Sequence, residues 1–111
     1  MSNRDKIILK KVLAEIDIID EMVSGFDLRG FLKSEKTKRA VCMTLINIGE
    51  LVKNIADEFK KQHNSIPWRE ISGMRDIAAH KYQTLKMERV WNTVKKDIPL
   101  LKNRIGEIID K

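Results

Sequence analysis

The sequence is poor in cysteine and contains no long apolar run. Cys42 is the one cysteine among 111 residues, so an intrachain disulfide is impossible, which fits a reducing compartment. No apolar run approaches the roughly 18 residues that a membrane span requires. The charged N-terminus, followed by Glu15, Asp17 and Asp20, does not fit a signal peptide. These absences predict a cytoplasmic protein without a membrane segment, in which Cys42 is a buried, unreactive small side chain.

Turn-forming residues are also scarce, with two prolines and five glycines. Hydrophobic residues make up 42% and charged residues 34%, a balance typical of amphipathic helices with charged outer faces. The apolar residues recur at spacings of three and four rather than in alternation. The length suits a single domain over 1–111. The sequence therefore predicts an all-α antiparallel bundle of about four to five helices.

Capping residues and breakers set the expected helix boundaries. Ser24-Gly25 should end the first helix, with glycine in the left-handed conformation. Asp27 should cap a short turn, and Ser34 should cap the long second helix. A break is expected at Ser72-Gly73, and Pro99 is expected in the first turn of the last helix. The predicted helices cover residues 3–23, 35–62, 67–71, 74–81, 86–96 and 98–109, and a short turn contains Leu28, Phe31 and Leu32.

The net charge is +6 and the isoelectric point is about 9.6, which favours polyanions, with nucleic acid the first candidate. Two basic runs are candidates for contact with an RNA backbone, although a solvated helix face is the commoner role of such runs. Trp68 and Trp91 could stack on bases, but packing in the core or an interface is the favoured interpretation. The basic runs are Lys33, Lys36, Lys38 and Arg39, and separately Lys95 and Lys96.

The segment 73–82 holds the strongest chemical signal. Arg75 is a permanent cation that can bind a phosphate with two hydrogen bonds, His80 can exchange a proton near neutral pH, and Tyr82 adds a hydroxyl. The alternative is structural: Arg75 in a salt bridge, His80 at a helix end and Tyr82 packed with its hydroxyl in water.

Helical geometry constrains how these groups could meet. Asp76 and His80 are four residues apart and share a face, so Asp76 could orient the imidazole. Arg75 and His80 are five apart, or about 140° around an ideal helix. They converge through the length of the arginine side chain or because the site is completed elsewhere. A symmetric dimer would supply that completion by bringing two copies of the segment together.

The pattern Arg-x4-His-x-Tyr at residues 75–82 resembles the motif of the HepT branch of the HEPN superfamily. The similarity extends from about Thr37 to Leu101, while the N-terminal helix agrees only in type. It is carried in order by Ile48-Gly49-Glu50, Ile66-Pro67-Trp68, Gly73-Met74-Arg75, Val90-Trp91 and Ile98-Pro99-Leu100.

The resemblance implies a homodimeric helical bundle with a ribonuclease site at the dimer interface. It makes Arg75 and His80 catalytic and places Asp76 at a supporting polar position. It also implies a toxin–antitoxin pair, in which an MntA-type minimal nucleotidyltransferase silences the nuclease by transferring AMP to Tyr82. Lys81 departs from the small residue common in this branch and adds a positive charge that could hold RNA. The pair at 78–79 is smaller than usual, which leaves the local packing open.

These observations predict a metal-independent endoribonuclease that acts on transfer or messenger RNA and needs no cofactor. Its residues include no cluster of carboxylates, histidines and cysteines at metal-ligand spacing. Two competing interpretations stay open. The chain could be a non-catalytic partner that presents a tyrosine or substrate to a nucleotidyltransferase, or a purely structural helical dimer. The presence of Arg75, Asp76 and His80 together favours the enzyme.

Overall fold

In a computed structural model, the chain is described over residues 1–73 and 86–110. All regular secondary structure in these two stretches is helical, which confirms the predicted all-α class. The elements are α1 (Asn3–Val23), α2 (Leu28–Lys33), α3 (Glu35–Lys53), α4 (Asp57–Gln62), α5 (68–73 of the described residues), α6 (Met87–Asn92), a π-helical turn (Thr93–Asp97) and α7 (Ile98–Ile109).

The two long helices α1 and α3 pack against each other along most of their length. Glu15 Oε1, in the middle of α1, accepts a hydrogen bond from Asn47 Nδ2 of α3 at 3.1 Å. Asp5 Oδ1, near the start of α1, accepts the Ala56 N–H just beyond the end of α3 at 3.2 Å. The two helices are therefore antiparallel, as the bundle prediction requires.

The C-terminal helix α7 contacts α1 as well. Lys102 Nζ lies 3.2 Å from Asp17 Oδ1 and 3.3 Å from Asp20 Oδ2, and these hydrogen bonds raise the Lys102 pKa. A cavity at the opposite end is lined by Met1 and Ile108, so α7 is also antiparallel to α1. Helix α2 contacts both α3 and α6. Fully buried aliphatic and aromatic side chains fill the space between these helices: Leu9, Val12, Ile16, Ile19, Phe31, Val41, Ile48, Val52, Ile98, Leu101 and Ile105.

The predicted caps are confirmed. Gly25 has a φ of +81°, the left-handed conformation that ends α1. Asp27 Oδ1 accepts the Gly30 N–H at 2.8 Å, and Ser34 Oγ accepts the Thr37 N–H at 3.2 Å. Both side chains thus satisfy N–H groups that a helix start would leave without partners.

The predicted single helix over 35–62 is wrong, because the chain breaks between α3 and α4. The Asn54 side chain donates to the Glu50 carbonyl at 2.9 Å, the acceptor that the Asn54 N–H would use in a continuing helix. The Asn54 N–H bonds to the Leu51 carbonyl instead, at 3.1 Å. Asp5, only 3% exposed, then takes the Ala56 N–H. A buried carboxylate from another helix therefore helps to start α4.

The predicted last helix over 98–109, with Pro99 in its first turn, is confirmed by α7. The predicted interruption before it is absent, because the chain stays helical from Met87 to Ile109. Proline lacks an N–H and its ring clashes with the carbonyl four residues earlier, which normally breaks a helix. The wider turn at Thr93–Asp97, where the Ile98 N–H bonds to the Thr93 carbonyl, precedes Pro99 and accommodates it. The predicted break at Ser72-Gly73 is likewise wrong, since both residues are helical.

Candidate active site

The residues predicted to carry the chemistry lie outside the described part of the chain. The structure therefore describes the two flanks that hold this stretch, α5 upstream and α6 downstream. The residues concerned are Arg75, Asp76, His80, Lys81 and Tyr82, and the predicted helix 74–81 lies outside it as well.

Trp68 fixes the upstream flank. It is 7% exposed, and its indole Nε1 donates to the His63 carbonyl at 2.9 Å. Its ring meets Phe59 of α4 edge to face, with centroids 6.1 Å apart. Ile71, one turn further on, is also buried. Packing of Trp68 in the core is thus confirmed, and its ring is not free to stack on a base.

Trp91 holds the downstream flank. Its ring lies 5.1 Å from that of the fully buried Phe31 of α2, with a tilt of 39°. Val90 beside it is buried, whereas Trp91 itself is half-buried. Lys95 Nζ sits 4.7 Å from the Trp91 ring centroid, in a cation–π contact. Predicted packing of Trp91 is confirmed, but one side of this tryptophan is occupied by a surface cation.

Helix α3 contributes the core behind the flanks. Ile48 and Gly49, from the stretch that resembles the HepT branch, are buried, and Glu50 beside them is half-buried. Cys42 is buried as predicted. Burial, with a smaller effect from Glu35, raises the pKa of its thiol to about 11. Because the thiolate is the reactive form, Cys42 is not a nucleophile near neutral pH.

The part of the chain at 1–73 and 86–110 contains no group of three or more histidine, cysteine or acidic side chains placed to hold a metal ion. His63 packs its ring against Phe59, with centroids 4.5 Å apart, and lines a cavity of about 350 Å³ together with Arg104.

Within residues 1–73 and 86–110, no helix is both long and apolar enough to cross a membrane.

Sequence reasoning missed the residues that position the upstream flank. Asp5 starts α4, Phe59 of α4 contacts Trp68, and the His63 carbonyl accepts the Trp68 N–H. An aspartate in the first turn of a helix is normally explained by its favourable interaction with the helix dipole alone. The one available clue was Asp5 next to the apolar stripe that begins at Ile7 and Ile8.

Helical order, antiparallel packing and the anchored flanks together define a HEPN-like helical bundle. Residues 12–108 match the family described as Ribonuclease HepT-like, and the chain belongs to that family. The match begins well before Thr37, so the expectation that the N-terminal helix agrees only in type is wrong.

Three relatives match this chain over most of both sequences. A provisionally named RNase of Caldanaerobacter subterraneus subsp. tengcongensis is 38% identical over 103 residues, covering 93% of this chain and 92% of that protein. A provisionally named ribonuclease HepT of Thermococcus cleftensis is 38% identical over 108 residues, covering 97% and 98%. A provisionally named RNase of Methanocaldococcus jannaschii is 34% identical over 110 residues, covering 98% and 95%. No solved structure matches the chain.

Proposed function

We propose that the protein is a metal-independent endoribonuclease, the toxin of a HepT/MntA-like toxin–antitoxin system. The observation that carries the proposal is the complete Arg75-x4-His80-x-Tyr82 pattern inside the region that matches the Ribonuclease HepT-like family. The names of the relatives, which describe RNases, point in the same direction. The basic surface charge suits an RNA substrate.

RNA supplies its own nucleophile, the 2′-hydroxyl. A neutral His80 removes the hydroxyl proton, and the 2′-oxygen attacks the adjacent phosphorus. A protonated His80, provided by the second subunit, gives a proton to the departing 5′-oxygen. Arg75 stabilises the negative charge that builds on the phosphorane oxygens. Asp76 supports the imidazole orientation, and Lys81 adds a cation beside the phosphate. The products carry a 2′,3′-cyclic phosphate and a 5′-hydroxyl.

The active form in this proposal is a symmetric homodimer. An ideal helix separates positions 75 and 80 by about 140°, so one copy of the motif does not easily direct both side chains at one phosphate. A two-fold axis beside the motif would place His80 of one copy near Arg75 of the other. The same arrangement would provide two histidines, one as base and one as acid.

Silencing would occur at Tyr82 by AMPylation. A minimal nucleotidyltransferase directs the Tyr82 hydroxyl at the α-phosphorus of ATP, so that an oxygen–phosphorus bond forms and pyrophosphate leaves. The attached AMP adds bulk and negative charge where the RNA phosphate binds, and it gives Arg75 a competing partner.

The test of the nuclease is RNA cleavage in excess EDTA, with wild type compared with His80→Ala on total transfer RNA and on a messenger RNA. The protein mass is measured first, to exclude bound AMP. His80→Ala is expected to cut cleavage by roughly 10²-fold or more. Equal cleavage by the variant would refute the mechanism. Cleavage of neither RNA by unmodified wild type would favour the alternative, a subunit that only docks a nucleotidyltransferase.

The test of silencing is incubation with an MntA-type transferase and ATP. Wild type should gain the mass of AMP and lose activity, while Tyr82→Phe should keep its activity because it lacks the acceptor oxygen. Inhibition of Tyr82→Phe under the same conditions would eliminate Tyr82 as the control point.

A further inference from the structure

A cavity of about 350 Å³, termed the α4–α7 cavity, lies at the end of the bundle where α1 begins and α7 ends. Phe59 and Ile66, which are both buried, line it from the α4 side, and Ile108 of α7 adds a third apolar side chain. Sites for small molecules usually combine an apolar lining with a few polar groups and measure about 300–1,000 Å³. The α4–α7 cavity is near the lower end of that range, so it suits a ligand of about the size of a nucleoside.

The polar groups of the cavity come from both of its sides. Gln62 and Ser65 contribute from the end of α4 and the segment after it, and Arg104 and Glu107 contribute from α7. Arg104 Nη1 and Glu107 Oε2 are 3.9 Å apart, which is too far for a hydrogen bond although the two charges attract each other. The guanidinium and the carboxylate therefore keep hydrogen-bonding groups that a ligand can use. Together they provide donors and acceptors side by side.

A flat ring also lines the cavity. The His63 ring packs against Phe59, with centroids 4.5 Å apart and a tilt of 42°, and His63 is half-buried. Its position is held from below, because its carbonyl accepts the Trp68 indole N–H at 2.9 Å. Histidine rings in such positions stack on unpaired nucleobases. A planar ligand is therefore favoured over an aliphatic one.

We propose that the α4–α7 cavity binds a guanine base, with Arg104 and Glu107 contacting its polar edges and His63 stacking on its plane. Guanine has two neighbouring acceptors, O6 and N7, which a guanidinium can bind with two hydrogen bonds. It also has two neighbouring donors, the N1–H and the 2-amino group, which match the two oxygens of a carboxylate. Adenine, cytosine and uracil each lack one of these two donors. The acceptor O6 is adjacent to the N1–H on the ring, as Arg104 is to Glu107 in the cavity.

The guanine can belong to a free nucleotide or to a strand of RNA. In the second case the cavity would select the substrate by its base, and only that role rests on the proposed function. Binding of the base itself requires no cleavage, so the two proposals are tested separately.

The test is isothermal titration calorimetry with GMP, IMP and AMP, which carry the same phosphate charge. Wild type should bind GMP at least roughly tenfold more tightly than AMP, because a correctly paired base edge discriminates by about that factor or more. IMP lacks the 2-amino group and should bind with intermediate affinity. Glu107→Gln should lose the preference for GMP over IMP, and Arg104→Gln should weaken the binding of both roughly tenfold.

Two matched variants control for charge. Glu21→Gln and Arg29→Gln make the same charge changes at exposed positions near the other end of α1 and should bind GMP as wild type does. Thermal unfolding checks that all four variants stay folded. Equal affinity for GMP and AMP in the wild type would overturn the proposal, as would equal losses in test and control variants. Tighter binding of AMP would also overturn it and would indicate an adenine site built on the Gln62 amide.

NMR of the two indole N–H groups locates the nucleotide. The Trp68 indole is bonded to the His63 carbonyl, so GMP in the cavity should shift its signal while the Trp91 signal stays in place. Trp68→Phe assigns the two signals. A shift at Trp91 alone would place the nucleotide elsewhere and overturn the proposal.

A strand and a free nucleotide are distinguished with two short 2′-O-methylated RNAs that differ by one guanine replaced with adenine. Preference for the guanine strand means that the base is bound within RNA, and equal binding of the strands by a protein that prefers GMP means that a free nucleotide is the ligand. The EDTA cleavage assay separates these results from the proposed function. Wild type that prefers GMP but cleaves nothing keeps the guanine site without the nuclease, and wild type that cleaves without preferring GMP keeps the nuclease without the site.

Discussion

The two tryptophans that flank the motif are held in different ways. Trp68 upstream is enclosed, and its one polar atom donates to the His63 carbonyl. Trp91 downstream is half-buried, packs against Phe31 on one side and contacts the Lys95 ammonium. A fully enclosed indole with its hydrogen bond satisfied contributes mainly to stability. A half-exposed ring beside an exposed lysine can also contribute to the binding of a ligand. The upstream flank is thus a structural anchor, and the downstream flank borders a surface.

The largest expected effect is at Trp68. Trp68→Ala would leave a large cavity among Phe59, Ile71 and their neighbours and should lower the free energy of unfolding by about 3–5 kcal/mol. Urea unfolding followed by circular dichroism measures this loss. This loss is a large fraction of the about 5–15 kcal/mol by which a small domain is stable.

Trp68→Phe keeps the test informative if the alanine variant does not fold. It retains an aromatic ring but leaves the His63 carbonyl without its donor, so we expect a loss of about 1–3 kcal/mol. If Trp68→Phe is as stable as wild type, the hydrogen bond from Trp68 to the His63 carbonyl does not stabilise the upstream flank.

The errors in the sequence prediction have one physical origin. Periodicity and capping residues predicted α1 and the caps at Asp27 and Ser34, because these depend on neighbours along the chain. The break after Lys53 depends on Asp5, which is about 50 residues away in the sequence. The continuity through Pro99 depends on a π-helical turn that no local rule anticipates. The sequence pattern therefore could not predict long-range hydrogen bonds or irregular helical turns.

The candidate site divides in the same manner. Its chemistry was predicted from residue types and from the family resemblance, since Arg75, His80 and Tyr82 are close in sequence, and it stays a prediction because these residues lie outside the described part of the chain. The support around the upstream flank was not predicted, because Phe59 lies in what was predicted to be the end of a longer helix and His63 lies just beyond that helix.

A smaller effect is expected at Asp5, which supports the upstream anchor from a distance. Asp5→Ala would leave the Ala56 N–H without its acceptor and weaken the start of α4, the helix that carries Phe59. The expected loss is about 1–3 kcal/mol of unfolding free energy. Hydrogen exchange at Ala56 is the direct measurement, because that amide should lose protection. Glu21→Ala, at an exposed acidic position on the same helix, is the control. Unchanged protection at Ala56 would contradict the capping role.

The smallest effect on stability, and the sharpest contrast between the flanks, is expected at Lys95. Its ammonium lies over Trp91, but a cation–π contact at an exposed site contributes only about 0.5–1 kcal/mol. The free energy of unfolding of Lys95→Gln should therefore lie within about 1 kcal/mol of the wild-type value. Its RNA binding should change more clearly, with the slope of log affinity against log salt concentration falling by roughly 0.7 for one lost phosphate contact. Lys96→Gln removes the same charge one residue away and should leave the slope nearly unchanged, because the ammonium that lies over the Trp91 ring is that of Lys95. If the two variants shift the slope equally, the downstream flank is not a defined binding surface, and the contrast between the two tryptophans reduces to a difference in burial.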